Sequence, residues 1–299
     1  MAIIHDSNVV IQPLRKIWHK GKVTTLDMLR LDLLHPIVSG NKWYKLRLNL
    51  NYAVDNQYST IATFGGAYSN HLVAAAYAAQ HFGLQSVGVV RGIQNELTPT
   101  LLHCQQYGMK LLFVSREEYS LKDDPNWVND LLQPYSKTYI IPEGGANAKG
   151  VLGAGLINRF IGSQYTHIAL SVGTGTTLAG LRNALPAHQS VMGFVPMKQC
   201  TEQQAHIVPF LRPNQNTNWQ LFPETHFGGF GKIKDELILF MNDFYADNHI
   251  PLDVVYTSKM MYNIQQLLND NYFNSSDKLL CIHTGGLQGN VSVQDKLKF

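Results

Sequence analysis

Charged residues are scarce in this chain, and those present are nearly balanced in sign. Only 15% of the 299 residues are Asp, Glu, Lys or Arg, and 24 basic against 21 acidic side chains give a net charge of +3. A protein that binds nucleic acid or an anionic membrane surface is expected to carry a basic cluster, and no basic run occurs here. The composition therefore gives no support for either class of partner.

Cysteine and long apolar runs are also lacking. Cys104, Cys200 and Cys281 are isolated, and an odd, scattered set argues against a disulfide framework or a structural zinc site, so we expect no metal. The first residues, MAIIHDSNVV, lack the charged start and apolar core of a secretory signal, and no apolar stretch reaches membrane-spanning length. We therefore expect a soluble cytoplasmic protein.

What the chain does contain is an alternation of short apolar runs and helix-like segments. Its length predicts two domains. The predicted strands are 60–64, 86–90, 110–114, 138–141, 167–172, 191–195 and 279–283. One predicted helix follows the cap candidates Ser69 and Asn70 and ends at Gly83, and another runs from Thr98 to Gly108.

Strands that alternate with helices in this way indicate right-handed crossovers and parallel sheets with helices on both faces. The predicted fold class is therefore α/β. A lobe over roughly 45–153 would hold four of the strands, and the rest of the chain would form a second sheet. No internal repeat or low-complexity linker is present.

Glycine-rich loops follow three of the predicted strands, and ligands bind beyond the carboxyl ends of strands in open parallel sheets. The loops read TFGGAYSNH, SVGTGTTLAG and IHTGG. In the second loop, Gly173 and Gly175 let the backbone approach an anion, Thr174, Thr176 and Thr177 add hydroxyls, and a helix N-terminus follows. This pattern predicts a phosphate site, although such glycines also serve tight turns. It matches neither a Walker loop nor the dinucleotide fingerprint.

The segment SGNKWYKLR places two lysines three residues apart at the start of a predicted helix. A helix N-terminus carries partial positive charge, so cations there are mildly unfavourable unless an anion binds. Lys42 and Lys45 are therefore either ordinary solvated residues or part of an anion site.

Five motifs occur in one order: GNKWYKL, GGAYSNH, IPEGG, GTGTTLAG and HTGG. Together they resemble the pyridoxal-phosphate enzymes of the tryptophan synthase β-like fold, and within it the 1-aminocyclopropane-1-carboxylate deaminases and D-cysteine desulfhydrases. The resemblance runs from about Arg30 to Gly286. It implies two open, parallel-rich sheets flanked by helices, with pyridoxal 5'-phosphate in the cleft between them. The larger, cofactor-binding domain would comprise 1–44 and 154–299, and the smaller domain 45–153.

The resemblance also implies roles for the residues of the first two motifs. Lys42 would bond covalently to the cofactor, and Lys45 would contact its phosphate. Ser69 would be the catalytic hydroxyl above the cofactor, and Asn70 would lie beside the ring hydroxyl. Ser69 also fits a simple helix cap. His71 would orient the substrate or Ser69, with a buried structural histidine as the alternative.

The reaction class depends on residues late in the chain. Tyr256 corresponds to the active-site tyrosine of the family, and Thr257 replaces the glutamate that cyclopropane-cleaving deaminases carry near the ring nitrogen. Thr284 replaces their leucine before Gly-Gly. A neutral hydroxyl leaves a weaker electron sink than a carboxylate would, which suffices when an α-proton can be removed and sulfide can leave.

We therefore expect α,β-elimination from a small β-substituted amino acid. D-Cysteine is the favoured substrate: Lys42 removes the α-proton, thiolate departs, and hydrolysis gives pyruvate and ammonia. The alternatives are 1-aminocyclopropane-1-carboxylate deamination to 2-oxobutanoate and a non-catalytic protein that binds pyridoxal phosphate. Relatives of this kind are usually homodimers.

Four residues depart from the family pattern and leave the substrate open. Trp43 and Tyr44 replace the usual Thr-Arg, and Tyr68 stands where many relatives have glutamine. Phe230 is a candidate substrate contact. It falls near the position at which relatives carry a second active-site tyrosine, and phenylalanine lacks the hydroxyl of that tyrosine.

Overall fold

A computed structural model describes residue 4 and residues 6–197, 201–223, 227–229 and 231–299. Two residues singled out above, Cys200 and Phe230, lie outside the described residues. Cys104 and Cys281 are both buried free thiols.

Ten strands form in the described part of the chain. They are β1 (Ile11–Pro13), β2 (Thr25–Arg30), β3 (Thr60–Gly66), β4 (Gln85–Arg91), β5 (Met109–Val114), β6 (Thr138–Ile141), β7 (His167–Ser171), β8 (Ser190–Phe194), β9 (Trp219–Phe222) and β10 (Lys278–His283). The seven predicted strands are confirmed to within two residues at each end. The prediction omitted β1, β2 and β9, because two are short and β2 interrupts its apolar residues with Asp27.

The α-helices of the described residues lie between these strands. They are α1 (Lys16–His19), α2 (Asn41–Asp55), α3 (Asn70–His81), α4 (Pro99–Gln106), α5 (Arg116–Tyr119), α6 (Pro125–Leu132), α7 (Ala148–Gly155), α8 (Thr176–Ala184), α9 (Thr201–Ile207), α10 (Asp235–Asn248) and α11 (Thr257–Asn269). Among the helices described, none is long and apolar enough to span a membrane.

The chain divides into two compact units. The first unit comprises Lys42–Gly153, and the second comprises Ile4–Asn41 with Ala154–Phe299. Each unit has its own sheet.

The first unit contains a four-stranded parallel sheet in the order β5-β4-β3-β6. Its core includes Phe64, Val89 and Val128. Helix α3 packs closely because much of its buried surface is alanine. The predicted caps of α3 and α4 are confirmed, since Ser69 and Thr98 accept hydrogen bonds from backbone N–H groups three residues on. The carboxyl ends of β3, β4 and β5 share one edge of this sheet.

The second unit contains a six-stranded sheet in the order β1-β2-β10-β7-β8-β9. Only β1 is antiparallel, and it lies at an edge. A large apolar core that includes Met28, Met192, Phe244 and Met261 covers this sheet. Two parallel-rich sheets flanked by helices confirm the predicted fold class.

Candidate active site

The two lysines lie in the first turn of α2, at the start of the first unit. Lys45 is only 6% exposed, so it is not the solvated lysine of the alternative interpretation. Burial, and secondarily the charge of Lys42, lowers the pKa of Lys45 from 10.5 to about 7. A bound anion stabilises a buried ammonium group more than it stabilises a solvated one.

His71 is a buried neutral imidazole close to both lysines. Its Nε2 lies 2.9 Å from Thr63 Oγ1, and its Nδ1 has no hydrogen-bond partner among the described residues. Burial, followed by the charges of Lys45 and Lys42, lowers the pKa of His71 to about 3. The imidazole is therefore neutral at physiological pH and keeps one nitrogen for another group.

Ser69 and Asn70 begin helix α3 directly after the GGAY turn. Ser69 Oγ accepts a hydrogen bond from Leu72 N at 3.4 Å, so the serine is a helix cap. This bond occupies a lone pair and leaves the hydroxyl proton of Ser69 for another acceptor. A Cβ on Gly65 would lie 2.6 Å from Ser69 Oγ, so glycine at 65 makes room for the hydroxyl.

The backbone around Lys45 is held by a residue that sequence reasoning missed. Asn49 Nδ2 donates to Lys45 O at 2.8 Å. Asn49 Oδ1 accepts from Tyr139 Oη and Asn147 Nδ2, both at 2.8 Å. Gly145 of the IPEGG motif also packs here, because a Cβ on it would lie 3.2 Å from Lys45 Cβ. The order of the motifs along the chain indicated that IPEGG belongs to the site. Nothing in the sequence indicated a role for the Asn49 side chain.

In the second unit, the predicted phosphate loop joins β7 to α8. Gly175 has φ of +81°, and a Cβ there would lie 2.3 Å from Ile207 Cγ1, so only glycine fits. Thr176 and Thr177 are buried, and the Thr174 and Thr176 hydroxyl oxygens are 2.9 Å apart. No side chain caps α8. Its first N–H groups therefore have no side-chain acceptor.

Three motifs meet in this unit through Asn41. Its Nδ2 donates to Thr177 Oγ1 at 2.9 Å, and its backbone N donates to Thr284 O at 3.3 Å. Asn41 Oδ1 is buried and has no hydrogen-bond partner in the part of the chain that the structure describes. Gly40 packs directly against the backbone of Thr284, since a Cβ on Gly40 would lie 1.9 Å from Thr284 O. The Gly-Asn turn, the phosphate loop and the HTGG loop are thus adjacent.

Tyr256 lies beside the phosphate loop. A Cβ on Gly173 would be 3.5 Å from Tyr256 Oη, so the ring approaches the loop where glycine leaves space. Tyr256 N donates to Asp253 Oδ1 at 2.8 Å. The structure therefore brings the tyrosine and the predicted phosphate loop together.

Thr257 is completely buried, and its hydroxyl is engaged by Asp253. Thr257 Oγ1 donates to Asp253 Oδ2 at 2.5 Å and accepts from Asp253 N at 2.8 Å. Asp253 also accepts from the backbone N of Val255 and of Thr257. Sequence reasoning missed Asp253, although an acidic residue just before a helix start is a recognisable signal.

The HTGG loop rests on a buried polar cluster at the ends of β2 and β10. His283 Nε2 lies 2.8 Å from Pro251 O, and Gly285 N donates to His283 Nδ1 at 3.2 Å. Because Nδ1 accepts, Nε2 carries the proton and donates to Pro251. Asp32 lies 3.6 Å from His283 Nδ1 and pairs with Arg30 at 2.7 Å. This cluster holds the backbone on which Thr284, itself buried, is placed.

The segment before Phe230 contacts α11, where the rings of Phe227 and Tyr262 pack edge to face. The buried Lys259 on α11 donates from Nζ to Gly229 O at 3.0 Å. Burial lowers the pKa of Lys259 to about 8, and Asp253 partly opposes this effect.

The residues of the second unit fit a phosphorylated group. Gly175 leaves a cradle that a Cβ would fill, and the first turn of α8 offers N–H donors. Asn41 contributes a buried carbonyl oxygen without a partner, which suits a hydrogen-bond donor of a bound molecule. In the first unit, Lys42 supplies an amine and Lys45 a buried cation. Within each unit, these groups agree with the chemistry of pyridoxal phosphate.

Comparisons with known proteins agree with this geometry. A model of the family described as "Pyridoxal-phosphate dependent enzyme" matches residues 28–285. A Pyrococcus horikoshii protein, named as a candidate 1-aminocyclopropane-1-carboxylate deaminase, is 29% identical over 285 residues, covering 90% of this chain and 86% of its own.

Two further proteins resemble the chain over most of its length. The mitochondrial bifunctional D-cysteine desulfhydrase/1-aminocyclopropane-1-carboxylate deaminase of Arabidopsis thaliana is 27% identical, covering 92% of this chain and 75% of the plant protein. The crystal structure of an ACC deaminase homologue superposes with a TM-score of 0.84 at 26% identity, covering 97% of this chain and 92% of that one. The family match spans both sheets described above, and members of the family depend on pyridoxal phosphate. The chain therefore belongs to the pyridoxal-phosphate dependent enzyme family.

Proposed function

We propose that this protein is a lyase that eliminates the β-substituent of a small amino acid, with D-cysteine as the favoured substrate. The observation that carries the proposal is the buried Lys45 beside Lys42 and the neutral His71. A buried ammonium with a pKa of about 7 is suited to hold a phosphate, and an amine beside a second cation more readily loses its proton.

In this proposal, the first unit supplies the residues that handle protons. Lys42 Nζ would hold the cofactor, and with substrate bound its amine would take up the α-proton. The Ser69 hydroxyl, which still has its proton to donate, holds the substrate, with Asn70 next to it. His71 Nδ1, which has no hydrogen-bond partner among the described residues, offers a further neutral contact.

The second unit supplies the residues that hold the cofactor. Gly173, Thr174, Gly175 and Thr176 would surround the phosphate, with Asn41 and Thr177 fixed to one another beside them. When bound, pyridoxal phosphate withdraws electrons from the α-carbon of the substrate. Tyr256 Oη, next to Gly173, is the proposed proton donor to the leaving group.

Elimination, rather than opening of a cyclopropane, is supported by the engagement of Thr257. Its hydroxyl proton goes to Asp253, and the Asp253 carboxylate already accepts from three backbone N–H groups. Thr257 therefore presents a neutral, already hydrogen-bonded hydroxyl where cyclopropane-cleaving relatives carry a glutamate. A weaker electron sink suffices when the substrate has an α-proton and a good leaving group.

The test is an assay of the purified protein loaded with pyridoxal phosphate. We expect D-cysteine to give equal amounts of sulfide and pyruvate, and we expect Lys42→Ala to lose this turnover. A visible cofactor band without turnover on any β-substituted amino acid would leave a non-catalytic binding protein. A protein that binds no pyridoxal phosphate would contradict the proposal altogether.

A second candidate activity is the deamination of 1-aminocyclopropane-1-carboxylate. The names of the relatives support it, since both the archaeal and the plant protein are named for this reaction. Release of 2-oxobutanoate from this substrate, at a kcat/KM above that for D-cysteine, would favour it. Such a result would contradict the argument from Thr257.

Two further expectations belong to the same proposal. The two compact units would serve as the two predicted domains, with the larger one carrying the phosphate loop. The protein would act as a homodimer, and light scattering of the purified, loaded protein tests this directly.

A further inference from the structure

A cleft lies at the carboxyl edge of the four-stranded sheet in the first unit. Two adjoining cavities of about 470 and 510 Å³ share Arg91, at the end of β4, and Arg116, at the start of α5. The first cavity is also lined by residues 66–68, 92–94 and 115. The second is also lined by Tyr119, Ser120, Lys122 and Glu143. Each volume is sufficient for a metabolite.

The two arginines of this cleft form no ion pair with any residue that the structure describes. Neither guanidinium makes a hydrogen bond or ion pair with a described residue, whereas Lys122 pairs with Asp123 at 2.9 Å. The Arg91 guanidinium lies over the ring of Tyr119, 5.7 Å from its centroid. Glu143 is the carboxylate among the lining residues of the second cavity. Because Lys122 is neutralised by Asp123, two arginines stand against one glutamate, and the cleft is cationic.

Tyr119 adds a buried donor without a partner. The side chain is 4% exposed, lines the second cavity, and its Oη has no hydrogen-bond partner among the described residues. Burial, and then the nearby Glu143 carboxylate, raises the pKa of Tyr119. The phenol therefore stays protonated, and a bound oxyanion competes with the Glu143 carboxylate for its proton. A buried hydroxyl with no partner is unfavourable unless a ligand satisfies it.

Two exposed apolar side chains border the same cleft. Tyr68 is 71% exposed and Ile93 is 75% exposed, and both line the first cavity. Large apolar groups next to unpaired guanidinium groups are suited to a ligand that has a carbon skeleton and an acidic end.

We propose that this cleft binds a small organic oxyanion, a carboxylate or phosphate on an apolar body. Arg91 and Arg116 donate to the oxyanion from their guanidinium groups, and Tyr119 donates from Oη. Guanidinium groups bind both kinds of oxyanion through paired, charge-assisted hydrogen bonds. The carbon skeleton of the ligand covers Tyr68 and Ile93.

Two kinds of ligand carry an oxyanion of this chemistry: the substrate itself and a separate effector. Tyr68 directly precedes Ser69, so the cleft adjoins the loop that carries the proposed catalytic hydroxyl. The acidic group is then either the distal group of the amino-acid substrate or part of a separate effector. The first source rests on the proposed function, whereas binding itself does not.

The experiment is a calorimetric titration of the holoenzyme, at constant ionic strength, with inorganic phosphate and with phenyl phosphate. Using the holoenzyme keeps the probes from the cofactor's own phosphate site. We expect saturable binding, tighter for phenyl phosphate, that Arg116→Gln and Tyr119→Phe each weaken about ten-fold. The matched control is Arg212→Gln, which changes an exposed arginine of the second unit and leaves binding unchanged.

Arg116 is exposed, so Arg116→Gln keeps the test valid even if Tyr119→Phe fails to fold. Absence of saturable binding, or binding unaffected by Arg116→Gln, would overturn the proposal whether or not the enzyme turns over D-cysteine. If the source is the substrate, O-phosphoserine competes with phenyl phosphate, and its KM alone rises in Arg116→Gln. If the source is an effector, phenyl phosphate and the amino acid bind together. Either result supports the site.

Discussion

The hydroxyl of Thr257 donates its proton to Asp253 Oδ2 at 2.5 Å, and both groups are almost completely buried. The same carboxylate accepts from the backbone N of Tyr256 and of Thr257. Asp253 therefore organises the turn that carries two of the proposed site residues.

Replacing this carboxylate should affect both stability and turnover. We expect Asp253→Asn to lower the free energy of unfolding by about 2 kcal/mol, because hydrogen bonds to a charged group are lost at a helix start. Urea denaturation measures this, and the kcat of the loaded enzyme should fall as well. Asp270→Asn, an exposed change at the other end of α11, is the control. Equal, small effects of the two changes would contradict an organising role for Asp253.

The buried Lys45 predicts an unusual pH dependence of stability in the protein without cofactor. Its pKa is about 7 in the folded chain, against the ordinary 10.5. Between these pH values the unfolded chain binds a proton that the folded chain lacks, so this group makes the free energy of unfolding rise with pH. Below pH 7 both states are protonated and the full penalty of the buried charge applies.

We therefore expect Lys45→Met to stabilise the cofactor-free protein by about 3 kcal/mol at pH 6, and progressively less toward pH 10.5. The same change should weaken binding of pyridoxal phosphate, because the phosphate loses a cation. Urea denaturation across this pH range and cofactor titration measure the two effects. Lys232→Met, at an exposed lysine, should show neither effect. A stability difference that is independent of pH would exclude a depressed pKa.

The capping and catalytic roles of Ser69 can be separated. Ser69→Asn keeps a side chain that caps helices, so we expect a change in unfolding free energy below about 0.5 kcal/mol. Turnover should nevertheless fall at least about 100-fold, the usual size of a proton-transfer contribution. Asp124→Ala removes the cap of α6, away from this loop, and should cost about 1 kcal/mol without loss of turnover. Full activity in Ser69→Asn would restrict Ser69 to capping.

The hydrogen bond between Thr63 and His71 should hold the imidazole in place. We expect Thr63→Val to lower the free energy of unfolding by about 1–3 kcal/mol, since a buried ring nitrogen loses its partner. The kcat should fall while the affinity for pyridoxal phosphate stays unchanged. Thr60→Val, at another buried threonine of β3, is the control for loss of a hydroxyl. Weaker cofactor binding in Thr63→Val would place His71 at the cofactor instead.

The phosphate loop provides a steric test with two neighbouring glycines. Gly175→Ala puts a Cβ 2.3 Å from Ile207 Cγ1 at φ of +81°, so we expect a loss of about 2 kcal/mol and weak cofactor binding. Gly173→Ala meets its nearest atom at 3.5 Å, an ordinary contact, and should fold normally. Thermal unfolding and cofactor titration compare the two. Similar behaviour of the two variants would contradict a tight cradle at Gly175.

Local patterns were sufficient to predict much of the fold. The buried strands appear as short apolar runs, and the starts of α3 and α4 follow Ser69 and Thr98, because capping and strand burial are short-range effects. Strand β2 was missed because its partner β10 is more than 200 residues away, and that pairing compensates for its polar residues. Asn49 and Thr63 were missed for a similar reason, since each acts through side-chain hydrogen bonds to residues of other segments.

By itself, the sequence determined the α/β class, the five motifs and their order, since each depends on residue type and spacing along the chain. Only the tertiary structure decided the state of the groups within those motifs. Burial lowers the pKa of Lys45 and of His71, and packing places the Thr257 hydroxyl where it donates a hydrogen bond to Asp253. The same packing placed Arg91 and Arg116 in one cleft at the sheet edge. Desolvation and hydrogen-bond partnership depend on which distant segments pack together, and local sequence does not contain that information.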